Sequence, residues 1–196
     1  MSRPSGHHLG AGSEAVPASP SAADPSSAHT PLFEDLPDVW PSGCGEPGLL
    51  EACSTACQDA TSQLEPVRCA SVMAFFEARP VTVAVTELRA LLLDHAQYRE
   101  EEGPALEAVR SGTRVWVSAG PRPPRWGGVR LVADALSVRW VAALPVRAVD
   151  GWAGSLNLYG TEPLERFEML DAGVLDRLVD SLQQAFEEYV VGQPKD

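Results

Sequence analysis

The stretch over residues 138–159, VRWVAALPVRAVDGWAGSLNLY, constrains the fold more than any other. Two apolar runs, RWVAALPVRA and AGSLNLY, are separated by Val149, Asp150, Gly151 and Trp152. Asp150-Gly151 supplies the positive-φ positions that a tight reversal needs, so the stretch predicts a β-hairpin. Val138, Trp140, Ala142, Leu144 and Val146 fall on one face, and Val141 and Ala143 on the other. A strand that is apolar on both faces has to be covered on both sides. The hairpin is therefore expected inside the sheet, where it would floor any binding site.

The remaining elements follow from local pattern. Residues 48–64 predict a helix, because Leu49, Leu50, Cys53, Ala56, Cys57, Ala60 and Leu64 recur at helical spacing and Pro66 ends it. CASVMAFFE and VTVAVTE predict a first hairpin turning at Ala78-Arg79-Pro80, with Val81, Val83 and Val85 alternating against Thr82, Ala84 and Thr86. Residues 87–97 read as helical. An acidic run over residues 99–102 and the Gly103-Pro104 break follow. A short helix over residues 105–110 begins at Pro104, with Gly112 as its C-cap. A third strand is expected over residues 113–118, a loop over 119–128 and a short helix over 129–135. Residues 164–190 predict one long amphipathic helix. Its stripe is Phe167, Leu170, Val174, Leu175, Leu178, Leu182 and Phe186. This order implies an α+β fold: a central antiparallel sheet, with the N- and C-terminal helices on one face and loops and short helices on the other.

Composition sets the boundaries. Residues 1–31 are rich in Ser, Pro, Ala and Gly and almost empty of large apolar side chains. Such a segment cannot bury enough surface to offset ordering, so disorder is expected there. Together with an irregular stretch carrying Leu32, Phe33, Leu36, Val39 and Trp40, it forms an N-terminal arm over residues 1–47. The globular domain is expected over 48–191, and a tail over 192–196.

The net charge of −12 is unevenly spread: about −7 over residues 1–62, about zero over 63–164 and about −5 over 165–196. A charge-balanced core with acidic flanks disfavours direct nucleic-acid binding, which needs clustered Arg and Lys. No apolar run approaches the ~20 residues needed to span a bilayer, and the N-terminus has no apolar signal region. No membrane partner and a cytoplasmic location are therefore expected.

The residues 94–112, DHAQYREEEGPALEAVRSG, resemble the D-x-x-Q-Y-x-x-G-E-G-P-C-x-E-A-x-x-x-G signature of actinobacterial GAF domains. Val115-Trp116-Val117, Arg125-Trp126, Ala143-Leu144-Pro145-Val146 and the run GSLNLY over residues 154–159 match in the same order. Such domains often precede an RNA-binding ANTAR module, and none is expected after residue 196. The chain departs from the signature at Glu101, where the family has glycine, and at Ala105, where it often has cysteine. It departs again at Gly127, which replaces a proline. The motif of cyclic-nucleotide-binding relatives is absent, and no cysteine matches the thioether position of bilin-binding relatives.

The resemblance implies a sensory or regulatory domain that binds a small ligand of unknown identity or a partner protein. Tyr98, Trp116, Arg125 and Trp126 are the candidate ligand-binding residues, because strand three and the loop and helix after it border the pocket in GAF relatives. Two aromatic rings and one guanidinium could stack on and charge-pair an anionic or heteroaromatic ligand. Trp116 on a strand is more often a core residue. The stripe of the last helix packs on its own sheet, forms a homodimer seam with the first helix, or does both.

Cys44, Cys53, Cys57 and Cys69, spaced C-x8-C-x3-C-x11-C, could hold a metal or an iron–sulfur cluster and act as a redox sensor. The alternative is buried, reduced thiols on an apolar stripe. His95 stands alone within the domain. No nucleophile elbow, P-loop or H-E-x-x-H is present, so no catalytic residue and no cofactor are assigned. An interaction module with a filled pocket is the further alternative.

Overall fold

The computed structural model describes residues 47–76, 79–118, 125–147 and 153–192. Helix α1 (Pro47–Gln63) leads into strands β1 (Cys69–Phe76) and β2 (Arg79–Val85). Helices α2 (Leu88–Glu100) and α3 (Pro104–Ser111) precede β3 (Val115–Ser118) and α4 (Gly127–Ala135). The strands β4 (Trp140–Arg147) and β5 (Ala153–Gly160) follow, then a 3-10 turn (Phe167–Met169) and α5 (Ala172–Gly192). The sheet has five strands in the order β2-β1-β5-β4-β3, and every pairing is antiparallel. The two strands of the 138–159 stretch thus lie in the interior of the sheet, as their two-sided pattern demands. The expected turn at Asp150-Gly151 and the arm over residues 1–46 lie outside the described residues.

One face of the sheet carries the main core. Val72, Ala74, Trp140, Ala142, Leu144, Val146, Leu156 and Leu158 point toward α1 and α5. Those helices answer with Leu49, Cys53, Cys57, Leu175, Leu182 and Phe186. Full burial of an aliphatic or aromatic side chain contributes about 1.5–3 kcal/mol, so this layer dominates the stability. The apolar stripe of α5 packs here on the chain's own sheet. The outward residues of α5, among them Asp176, Arg177, Asp180 and Gln184, are polar and exposed. Among the described residues no helix is long and apolar enough to cross a membrane.

The opposite face is covered by α2, α3 and α4. Cys69, Val141 and Tyr159 pack on Ala90, Leu93 and Ala133, and Met73 and Ala143 pack on Ala105, Leu106 and Ala108.

Several elements differ from the pattern-based expectation. Val138 joins this second face with Val141 instead of sharing a face with Trp140. Strand β4 begins only at Trp140, after a left-handed turn at Ser137, so Val138 is not on the pleat. The alternation in β2 breaks at a register shift opposite Val72 and Met73, which places both Val83 and Ala84 toward the main core. Arg79 and Pro80 are strand residues, not turn. They lie in an edge strand, where a ladder tolerates a missing N–H. The last helix starts at Ala172, not at 164. Asp171 caps it by accepting from Val174 N at 2.9 Å, which fixes the start.

Helix α2 runs on through Arg99 and Glu100 and stops at Glu101, whose φ of 52° is left-handed. Its N–H returns to carbonyls of the last turn, the geometry in which glycine is favoured. A side chain with a Cβ is strained there, so Glu101→Gly is expected to stabilise the fold by about 0.5–1 kcal/mol. Equal or lower unfolding free energy of that variant in denaturant titration would contradict this account of the helix end.

Candidate functional site

The face beneath α2 holds a buried polar network. Strand β5 alternates Ser155, Asn157 and Tyr159 toward α2 with Leu156 and Leu158 toward the main core. From α2, Asp94 descends onto them with no solvent exposure. Its Oδ1 accepts from Tyr159 Oη at 2.5 Å and from Asn157 Nδ2 at 3.4 Å. Its Oδ2 accepts from Thr82 Oγ1 at 2.9 Å. Asn157 also donates to Ser71 Oγ at 3.2 Å and accepts from Ser155 Oγ at 2.8 Å. Tyr98 Oη lies 2.7 Å from Thr82 Oγ1 and extends the chain along α2.

Asp94 is thus a carboxylate held by neutral donors, and among the described residues no ion pair reaches it. Burial pushes its pKa up to about 6, and the hydrogen bonds from Tyr159, Ser71, Thr82 and Asn157 oppose that rise. The two tyrosines beside it are pushed well above their usual value, first by burial and then by the carboxylate.

Gln97, one turn on, joins α2 to α3. Its Oε1 accepts from Ala105 N at 2.8 Å, which satisfies a free amide in the first turn of α3. A Cβ on Gly103 would sit 2.4 Å from the Gln97 side chain, and the φ of 153° there also suits glycine. The Asp-x-x-Gln-Tyr and Gly-Pro elements of the signature therefore build the α2–sheet and α2–α3 joints. Ala105, where relatives often carry cysteine, is 1 % exposed beneath α3.

At the rim of the same layer lies an open cleft of about 380 Å3, bounded by Glu102, Gly103, Glu107, Arg110, Arg125 and Trp126. Arg125 reaches Glu107 at 2.7 Å and lies 4.8 Å over the Trp126 ring. Arg110 donates to the Glu101 carbonyl at 3.0 Å, bracing the α2–α3 corner. Trp126 opens α4 with φ 57° and ψ 72°, a left-handed conformation strained for an aromatic residue. Packing on Ala96 and Val129 holds it there.

The four residues proposed as a ligand site from sequence do not converge. Arg125 and Trp126 line the cleft together. Tyr98 belongs to the Asp94 network. Trp116 pairs with Ala142 and packs toward the α1 and α5 core, on the opposite face of the sheet. The antiparallel register decides this, because a directly paired residue shares its partner's face.

The cysteines separate in the same way. Cys53 and Cys57 face the main core from α1, Cys69 packs on the other face, and Cys44 lies outside the described residues. Among the described residues no group of three or more His, Cys, Asp or Glu is placed to hold a metal ion. Burial pushes the Cys53 and Cys69 thiols up to about 12 and raises Cys57 as well. They are unreactive core thiols.

The residues that sequence reasoning missed are Ser71, Thr82, Glu107, Arg110, Asn157 and, as interacting groups, Asp94, Gln97 and Tyr159. The polar alternation in GSLNLY was the available signal, since polar side chains on a covered face require partners.

Two outcomes follow. Below about pH 4 both the folded and the unfolded Asp94 carboxyl hold a proton. As pH rises toward 6 the folded state still holds one that the unfolded chain has released, so stability falls. Above about 6 the loss is complete, on the order of 3 kcal/mol. The stability of the wild type relative to Asp94→Asn is expected to drop by that order between about pH 4 and 7.5 in denaturant titrations; a pH-independent difference would refute the assignment. In a Cys44→Ser variant, Cys53, Cys57 and Cys69 should resist a disulfide reagent in the native protein and react once it is unfolded. Rapid native labelling would contradict their burial.

The sequence matches the family model of the GAF domain over residues 48–187. No curated protein sequence matches it significantly. Among solved structures it is similar to a domain assigned to a two-component sensor histidine kinase protein from Sinorhizobium meliloti 1021, at 15% identity and TM-score 0.55, covering 74% of this chain and 96% of that one. The GAF domain of a two-component sensor histidine kinase from Bacillus halodurans matches at 11% identity and TM-score 0.55, covering 73% and 97%. The phycoerythrobilin-bound GAF domain of a cyanobacterial phytochrome matches at 17% identity and TM-score 0.52, covering 73% and 87%. These identities establish the fold, and the family model covers most of the sequence. With its antiparallel sheet, its paired terminal helices and the Asp-x-x-Gln-Tyr corner in place, the chain belongs to the GAF domain family.

Proposed function

We propose that this GAF domain is a non-enzymatic regulatory module that reads a small polar ligand at the rim cleft beside Arg125 and Trp126. GAF homologues are sensory and regulatory signalling domains, which sets the class. One observation carries the location. Beneath α2 and α3 the sheet residues Ser71, Met73, Ala143, Ser155, Asn157 and Tyr159 each expose 0 % of their surface, so no water-sized void touches them. The space over the sheet is filled by the protein itself, and the rim cleft remains open.

The cleft's size lies at the low end of small-molecule sites, and its walls carry carboxylates and guanidiniums together. A ligand with an anionic group would compete with Glu107 for Arg125 and use the donors Arg110 leaves unused. Its binding would pull on the corner between α2 and α3 and on the start of α4, biasing the position of the layer. The absence of a catalytic role fits the chemistry at hand. Asp94 is sealed from solvent, and the described thiols are held in their protonated form.

A thermal-shift screen of small polar metabolites against the whole chain tests the proposal. A ligand at about 100 times its Kd should stabilise by about 2.7 kcal/mol, and Arg125→Ala should abolish the shift while leaving the unliganded midpoint nearly unchanged. Hits that survive Arg125→Ala, or a screen without hits, would refute recognition at this cleft.

A further inference from the structure

Asp94, Gln97 and Tyr98 share one face of α2, at i, i+3 and i+4. Asp94 fastens that face to β5 and β2, Tyr98 fastens it to β2, and Gln97 fastens it to the first turn of α3. Glu102 N also donates to the Gln97 carbonyl at 3.2 Å. The end of α2, the start of α3 and the Glu102-Gly103 lip of the cleft are therefore tied together through Gln97. We propose that the protonation state of Asp94 sets the position of this corner, so that the module responds to protons as well as to whatever occupies the cleft. The consequence for recognition rests on the cleft reading above; the proton response itself does not.

Hydrogen counting gives the mechanism. Thr82 has one hydroxyl hydrogen, and toward an ionised Asp94 it is given to Oδ2. Tyr98 then has to donate to Thr82 Oγ1. Oδ1 is already met by two donors, Tyr159 and Asn157, so a proton taken up from water settles on Oδ2. Oδ2 then donates to Thr82, Thr82 turns its hydrogen to Tyr98 Oη, and the Tyr98 hydrogen must leave Thr82 Oγ1. The Tyr98 hydroxyl is itself buried, so losing that acceptor is costly and weakens its hold on Thr82. One proton thus reverses the whole Asp94–Thr82–Tyr98 chain and loosens the donor contact by which Tyr98 holds α2 to β2.

Among the described residues around Asp94, the other ionisable groups with a resolved shift are all moved away from neutral pH. Tyr159 on β5 and Tyr98 on α2 are raised well above their usual range, and Cys57 on α1 and Cys69 on β1 are raised by burial. His95, half-buried on α2 with its ring 5.6 Å from that of Tyr98, is shifted downward by burial. It is the control that the test requires.

The experiment is a pH titration of the full chain by two-dimensional amide NMR, following Gly103, Ala105 and the Asn157 side-chain amide. In the wild type these signals should move together with a midpoint near 6. His95→Gln should leave that titration in place and Asp94→Asn should abolish it. Thr82→Val, which keeps the carboxylate and removes one donor, should raise the midpoint by roughly half a unit or more. A flat wild type, a titration that persists in Asp94→Asn or vanishes in His95→Gln, or an unmoved midpoint in Thr82→Val would overturn the proposal. None of these outcomes depends on a ligand, so failure of the cleft reading would be seen separately, in the thermal-shift screen.

Discussion

A carboxylate without a counter-charge sits at the centre of one face of this sheet, and the layer above is arranged around it. Burying an ionised Asp is expensive unless hydrogen bonds replace its hydration. Here the replacement comes from three strands and from α2's own tyrosine: Ser71 through Asn157, Thr82 with Tyr98 behind it, Asn157 and Tyr159. That requirement explains why β5 is polar on one side and aliphatic on the other. It also fixes the height and rotation of α2 on the sheet. The opposite face holds no buried carboxylate among the described residues, and α1 and α5 cover it mainly with apolar side chains.

The same network accounts for the close packing of the layer beneath α2. Among the described residues, the side chains that meet Asp94 fill the space between this face of the sheet and α2. The open cleft proposed as the binding site lies at the rim, where the corner from α2 to α3 meets the entry to α4. This corner is braced by Gln97 within and by Arg110 and the Arg125–Glu107 pair outside. The exposed pairs contribute little stability of their own, and their geometry matters more than their energy. The left-handed Trp126 shows that local strain is accepted there in exchange for packing on Ala96 and Val129.

Much of this was visible before any coordinates. Helical spacing found α1 and the body of α5, Pro104 and Gly112 marked α3, and the two-sided apolar pattern placed the β4–β5 pair inside the sheet. The Asp-x-x-Gln-Tyr motif marked the family, although its residues serve the joints between elements more than a ligand. Boundaries failed where a capping group overrode the hydrophobic stripe, as Asp171 does at the start of α5. The candidate site was legible only in part. Arg125 and Trp126 are neighbours in sequence and stayed together, whereas Trp116 packs on the opposite face, in the core role that a strand tryptophan more often takes.

The sequence by itself determined the class of fold, the interior position of the hairpin and the faces on which the apolar residues of β4 lie, because period and composition are local properties of the chain. Tertiary structure alone decided which distant polar residues meet. Residues 71, 82, 94, 157 and 159 come from four different elements, and no spacing rule links them. It also decided the face of Trp116, since strand register fixes that choice and a slip of one residue reverses it. The buried carboxylate, the filled interior and the open rim are consequences of that long-range pairing.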